Sequence, residues 1–412
     1  MKSRERVLTA FKKEVPDRVP VDLSGHRSSG ISAIAYAKLR DHLHLPPQPI
    51  RVYDMVQQLA IVDEDVLERF NVDTVELGRA YLLDDKDWKE WVLPDKTPCL
   101  IPNYVNVEKR GEDWFLLSPS GQKLGIQKKG WLFFEQTYYP LQERALENEN
   151  FSGLEDMLDL IIWSGTPSPG SHLPLDKKGL TELCEGAMRL RASTERAVIG
   201  LFGGSLFETA QELLGMERYL MLLKVLPGAV QRLNEKLCEI HIQNLEKWIG
   251  AVGSSIDIIC FGDDLGGQSG PMISPQMYRT YIKPFHAQLW KRAKELADVK
   301  VMLHCCGGIR ELLPDLIDAG LDAINPVQFT ARGMDTQEIK EEFGHQIVLW
   351  GAGCDTQTIL PFGTSDQIKE NVRQQVEILS PGGGFVFQSV HNILPNMPPQ
   401  NIVAMFDALK QG

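Results

Sequence analysis

At 412 residues, with 43% hydrophobic and 24% charged residues, the chain can bury a sizeable core and has the composition of an ordinary globular protein. A formal net charge of -12 excludes a broad nucleic-acid footprint and favours small-molecule chemistry. No apolar run has the length of a transmembrane helix, and the charged start Met1-Lys2-Ser3-Arg4-Glu5-Arg6 lacks the apolar stretch of a signal peptide, so a cytoplasmic protein with no membrane contact is expected.

Residues 4 to 13 read as a short helix and Arg18 to Leu23 (RVPVDL) as a first strand. Helical periodicity follows over about 32 to 44 and 54 to 69, then a second strand over residues 72–78. From Trp88 to Tyr139 short aromatic and β-branched runs are broken by prolines and glycines, which predicts antiparallel hairpins. Four tryptophans lie there: Trp88, Trp91, Trp114 and Trp131. They either form a lid over a site or fill the insertion's own small core. Residues 163 to 174 read as a linker. The expected organisation is an N-terminal part of a barrel over 1–83, a β-rich insertion over 84–150, and the remainder of the barrel over 151–412.

Beyond residue 175 strands and helices alternate. Strands are predicted at Ala197 to Gly203, Ile256 to Gly262, Val299 to Cys305, Ala323 to Val327, Ile347 to Trp350 and Gly384 to Val390. Helices are predicted at about 205–225, 227–250, 274–297, 309–319, 335–343, 365–379 and 399–410. With the two N-terminal strands this makes eight βα units, an α/β chain with the pattern of a (β/α)8 TIM barrel.

Catalytic groups in such a barrel stand at the C-terminal ends of the strands. There the chain places Asp22, Glu76, Glu208, Asp263 and Asp264, His304 and Cys306, Asn325 and Gln328, Cys354 and Asp355, and His391 and Asn392. Residues two apart in a strand share a face, so His304 and Cys306 point one way and Cys305 the other, into the packing. An imidazole and a thiolate side by side are two of the three protein ligands an open zinc site uses, and Cys354, at another strand end, is the expected third. Soft thiolates with imidazole suit zinc better than magnesium or calcium. The bland alternative is a buried histidine with two core cysteines. Asp263 and Asp264 are candidates for acid–base work, one of them equally plausible as a turn cap, and His391 for orienting substrate or moving a proton. Cys99, Cys184, Cys238 and Cys260 are expected to be packing residues. His26, His42, His44, His172, His241, His286 and His345 show no partner pattern.

These strand-end motifs resemble the uroporphyrinogen decarboxylase superfamily. The residues that carry the resemblance are VPVDLSG near residue 20, FGDDLGGQSGPMISPQMYRTYIKP from Phe261, LHCCGGIRELLPDLIDAGLDAINPVQ from Leu303, LWGAGCDTQTILPFGT from Leu349 and SVHNILPNMPPQNI from Ser389. The resemblance implies a (β/α)8 barrel. It is strongest to the zinc-dependent, corrinoid-linked methyltransferases, whose His-x-Cys pair and later Cys map to His304, Cys306 and Cys354. The decarboxylase branch uses no metal and carries an arginine-rich stretch of the type RQAGRYLP, where this chain reads VDLSGHRSSGISAIAY with Arg27 alone. The methyltransferase branch implies Zn2+ held by the chain, a corrinoid (cobalamin) carried on a separate partner protein, and a small methylated substrate, such as an aryl methyl ether, or a thiol. Some members use an acidic residue after the third barrel strand as a ligand or substrate contact, which maps to Glu208. A helix-surface glutamate is the competing reading. Gln328 and Asn392 are further candidates for binding substrate. A metal-free decarboxylase using Asp263 or Asp264 and a non-catalytic binding barrel are the rival expectations.

Overall fold

In the computed structural model, which describes residues 1–411, seven parallel strands form one curled sheet. They are β1 Thr74–Glu76, β2 Ala197–Gly203, β3 Ile258–Gly262, β4 Lys300–His304, β5 Ala323–Asn325, β6 Val348–Trp350 and β7 Phe385–Val386. Each pairs with its chain neighbour, so the order in space is the order in sequence. Parallel neighbours need a crossover, and helical sequence supplies it between successive strands, as the alternation predicted.

The expected first strand at residues 18–23 is reduced to one bridge, Val21 with Phe387. Pro20 has no N–H to give to a ladder, which keeps this segment irregular. It is nonetheless bonded on both sides. The Phe387 N–H donates to the Pro20 carbonyl, Asp22 N–H to the Phe387 carbonyl, and Asp73 N–H to the Val21 carbonyl. Residues 20–22 thus lie between the two edges of the seven-stranded sheet.

Side-chain parity organises the interior. Ile199, Cys260, Met302, Ala323, Trp350 and Val386 pack in one buried cluster with Val7, Ala10 and Phe11 of the helix Ser3–Phe11. That helix sits at the strands' N-terminal ends, where Arg4 N–H donates to the Glu195 carbonyl and the Arg4 guanidinium pairs with Asp257. The next inward position along each strand, two residues on, is Gly262, His304, Asn325 and Gln388. The polar layer therefore lies at the C-terminal end, above a dry apolar plug.

Antiparallel strands occupy Trp88–Val92, Pro98–Pro102, Asn106–Arg110, Asp113–Leu117, Lys123–Gln127 and Glu135–Gln136, in two small sheets. Trp88 and Trp91 are buried, and Trp91 meets Trp114 edge-on with ring centroids 5.3 Å apart, so these aromatics fill the insertion rather than cover a site.

One predicted helix is absent and another helix goes unpredicted. The helix read at about 54–69 is instead a hairpin, Val52–Asp54 with Leu59–Ala60, followed by a short helix Glu64–Arg69. Asp54 caps the turn through the Gln57 N–H, Gln58 adopts a positive φ of 54°, and its amide donates to Gln127 of the insertion. Tertiary bonding thus overrides an apolar spacing that suited a helix. The helix Lys177–Ser193 was not anticipated; Gly179 and Gly186 interrupt its pattern, and Gly186 packs against the Tyr81 ring, where no Cβ fits. Among the described residues no helix is long and apolar enough to cross a membrane.

Candidate metal centre at the barrel mouth

His304 ends β4, and Cys306 follows in the turn that Gly307 makes with a positive φ of 87°. The His304 Nε2 lies 3.4 Å from the Cys306 Sγ. Cys305 faces the other way, as parity predicted, and its sulfur accepts the Leu265 N–H at 3.2 Å. The turn itself is pinned. Asp264 Oδ1 accepts the Cys306 N–H at 2.7 Å, and the Gln328 side chain accepts the Gly307 N–H at 2.8 Å. Gln328 thereby holds the turn through its side-chain oxygen.

Ligand-type atoms of His304, Cys306 and His391 all lie within 4.8 Å of one another. One ion with bonds of about 2.0 to 2.3 Å would span such a set. His391 was expected to handle protons; the structure brings it into the ligand group. Cys354, the expected third ligand, is not brought into that group. Gly351 and Ala352 take positive φ values of 91° and 60°, and the chain then runs under the last segment: Gly353 N–H donates to the Gln388 carbonyl and Val390 N–H to the Cys354 carbonyl. The Cys354 thiol is fully buried, with the Asp355 carbonyl 3.9 Å away, and it is His391, just past the overlying segment, that reaches the cluster.

The donor set fits a zinc-type ion. Burial, then the nearby His391, push the His304 pKa down to about 3 despite the Asn325 bond, so the ring is neutral at physiological pH. Its Nδ1 meets Asn325 Oδ1 at 2.8 Å, leaving Nε2 for the cluster. His391 is likewise depressed, chiefly by burial, and its Nδ1 meets Asn392 Oδ1 at 2.8 Å. Asn392, expected to bind substrate, thus orients His391. Neutral imidazoles whose other nitrogen is held by an amide are the arrangement metal-ligating histidines use. The Cys306 thiol is pushed well above its ordinary range by burial and then by Asp264.

A wall of carboxyls stands beside the cluster. Asp264, 3.9 Å from His304 Nε2, is raised to about 6 by burial, with Asp263 adding to the rise. Glu208, in the first turn of the helix Phe207–Leu214, is raised well above its ordinary value by burial, Asp264 and Asp263. Glu212, one turn on, is raised to about 8, mainly by burial. Asp263 is different. Fully buried, it accepts the N–H groups of Leu206, Phe207 and Glu208 and the His286 Nε2–H at 2.9 Å. It anchors a helix start, whereas its neighbour Asp264 faces the cluster.

Sequence reasoning missed three participants. His26, buried, lies with its ring centroid 6.4 Å from that of His304. Arg27 is tied down by Asp54, by Ser168 Oγ at 2.7 Å and by the Trp163 ring 4.4 Å away. Gln388 bonds Asn325 at 2.7 Å. The signal for Gln388 was available: it is the inward position two residues after Val386.

Comparison with known proteins follows the same lines. The family model described as "Uroporphyrinogen decarboxylase (URO-D)" matches residues 171–412. A Synechocystis sp. protein named uroporphyrinogen decarboxylase is 23% identical over 248 residues, 59% of this chain and 65% of that protein. Its namesake from Legionella pneumophila (strain Corby) is 24% identical over 164 residues, 40% of this chain and 43% of that protein. The chain thus spans two thirds or less of these relatives. A solved structure of a methyltransferase from Methanosarcina mazei shares the fold with a TM-score of 0.59 and 16% sequence identity, covering 100% of this chain and 99% of that one.

Proposed function

Since the chain belongs to the uroporphyrinogen decarboxylase (URO-D) family, we propose that it is an enzyme of that family which transfers a methyl group rather than decarboxylating a substrate. The observation that carries this reading is the cluster of His304, Cys306 and His391 at the strands' C-terminal end. We read the fold as a (β/α)8 barrel in which residues 20–22 take the eighth strand position, and the protein as cytoplasmic, where thiols stay reduced.

His304 and Cys306 are the common pair of zinc ligands. His391, by proximity, and Cys354, by family resemblance, compete for the third place. When bound, zinc supplies Lewis acidity toward a substrate heteroatom or lowers the pKa of a bound thiol. A corrinoid carried by a partner protein docking on this face would supply the cobalt that gives or takes the methyl group, and a small methylated substrate, an aryl methyl ether being one candidate, or a thiol would sit beside His304 and Cys306.

The chain's own groups do the rest. The two imidazoles present unprotonated nitrogens. Glu208, whose carboxyl burial and its acidic neighbours push toward the protonated form, can donate a hydrogen bond to the substrate heteroatom, and Asp264, raised to about 6, can take up or return a proton beside it.

The second reading, a metal-free decarboxylase, draws on the names of the curated relatives. Two features weigh against it. Arg27, the one arginine of the matching N-terminal stretch, is already bound to Asp54 and Ser168. Glu208, Glu212 and Asp264 also supply no positive charge to hold the carboxylates of such a substrate. Zinc analysis of protein purified under reducing conditions, followed by methyl transfer to free cob(I)alamin, tests the choice. About one zinc per chain and methyl-cobalt formation are expected; metal-free protein that decarboxylates a polycarboxylate overturns the reading.

A further inference from the structure

A chain of hydrogen bonds with a defined direction leads from a backbone carbonyl to His304. Ser28, in the 3-10 turn Arg27–Ser29, offers its C=O, which can only accept. The Gln388 side chain meets it at 3.0 Å, so the amide NH2 must point there. Its oxygen then faces Asn325, whose NH2 donates to it at 2.7 Å. That in turn leaves the Asn325 oxygen toward His304 Nδ1 at 2.8 Å, where only an N–H can satisfy it. Reversing either amide would set like groups against each other in a layer where Asn325 is 0% and Gln388 1% exposed. All three side chains occupy the same inward layer, two residues beyond Met302, Ala323 and Val386.

We propose that Gln388, acting through Asn325, is a positioning residue that holds His304 in the Nδ1–H tautomer and so presents a bare Nε2 to Cys306. Its consequence for metal rests on the ligand role given to His304 above. The tautomer is a property of the metal-free chain. The contrast with His391 sharpens the inference. That ring leads through Asn392 to the Gln57 side-chain oxygen, with no acceptor-only group at its far end, so no direction is imposed on it.

The test is nitrogen-15 NMR of histidine-labelled, metal-free protein, with the His304 signals assigned by their loss in His304→Gln. Wild type should show a protonated Nδ1 and a bare Nε2. Asn325→Leu and Gln388→Leu should give mixed tautomers. A protonated Nε2 in neutral wild-type protein, or an unchanged tautomer in both leucine variants, overturns the proposal. Should the leucine variants not fold, Gln388→Met, which keeps the side-chain length but offers Asn325 no amide oxygen, takes their place, with the same outcomes expected and excluded. Zinc affinity by chelator competition separates the two claims, with roughly a 10- to 100-fold loss expected in Gln388→Leu. A correct tautomer in a wild type that binds no zinc would sink the metal reading and leave the positioning role standing.

Discussion

A buried thiol is cheap when protonated and costly when ionised, and this asymmetry turns the choice of third ligand into a count of protons. Burial raises both Cys306 and Cys354, so each is a thiol in the metal-free chain near neutrality and must lose its proton to become a ligand. His304 and His391 are already neutral and release nothing. Zinc added in weak buffer near pH 7 should therefore release one proton per ion if His391 is the third ligand and two if Cys354 is, with affinity rising about tenfold or a hundredfold per pH unit. His391→Ala and Cys354→Ala should agree with the count: the variant that removes the true ligand loses zinc. Glu76, buried at the end of β1, gives a second prediction with the opposite pH sense. Burial raises its carboxyl from 4.5 to about 7, with Asp54 adding to the rise and Arg27 and Arg79 opposing it. Between those values the folded chain keeps a proton that the unfolded chain has lost, so stability falls as pH rises from about 4.5 to about 7. The effect is of order 3 kcal/mol. Glu76→Gln should flatten this slope in denaturant titrations; an unchanged slope would place the carboxyl in contact with water.

Elements explain which parts of the site could be read in advance. His304 and Cys306 were legible because strand parity is a local rule, and the antiparallel insertion because its turn residues are local signals. That His391 joins His304 and Cys306 was not legible, since its position depends on how residues 388–390 lie over the Gly353–Cys354 turn, a contact between segments far apart in sequence. Nor could parity tell Asp263 from Asp264. The first turns into the interior to bind a helix start and the second toward the cluster, and only the packed helix Phe207–Leu214 distinguishes them. Asp263 holds three helix N–H groups that would otherwise be buried and unpaired, and His286 besides. Asp263→Ala should cost roughly 2 to 4 kcal/mol, seen as a lower thermal midpoint. It should also release Glu208, which rides on the same turn, so a stability loss with no change around Glu208 would separate the anchor from the site.

On the scale of the molecule, the weak seam is where residues 20–22 join the two edges of the sheet. Three backbone bonds cross it, which is little for a parallel ladder, and side chains supply the remainder. Asp73, fully buried, accepts the Val21 N–H and pairs with both Arg6 and Arg18. Asp22 receives Thr74 Oγ1–H at 2.6 Å, Trp350 Nε1–H at 2.9 Å and Ser29 Oγ–H at 3.1 Å, tying β1, β6 and the 27–29 turn together. That turn carries the Ser28 carbonyl from which the hydrogen-bond chain to His304 starts, so the seam is bonded through to the candidate metal site. Either arginine alone leaves Asp73 a partner; removing both leaves a buried, unpaired carboxylate. Arg6→Ala and Arg18→Ala singly should thus cost little, and the double variant should cost roughly 3 to 5 kcal/mol, more than the singles added. Hydrogen exchange locates the loss. The amides of Asp22, Asp73 and Phe387 should lose protection first in the double variant, while those of β3 and β4, paired on both sides within the sheet, keep theirs. Uniform loss across the sheet would mean that the clasp stabilises the whole fold and not its closure.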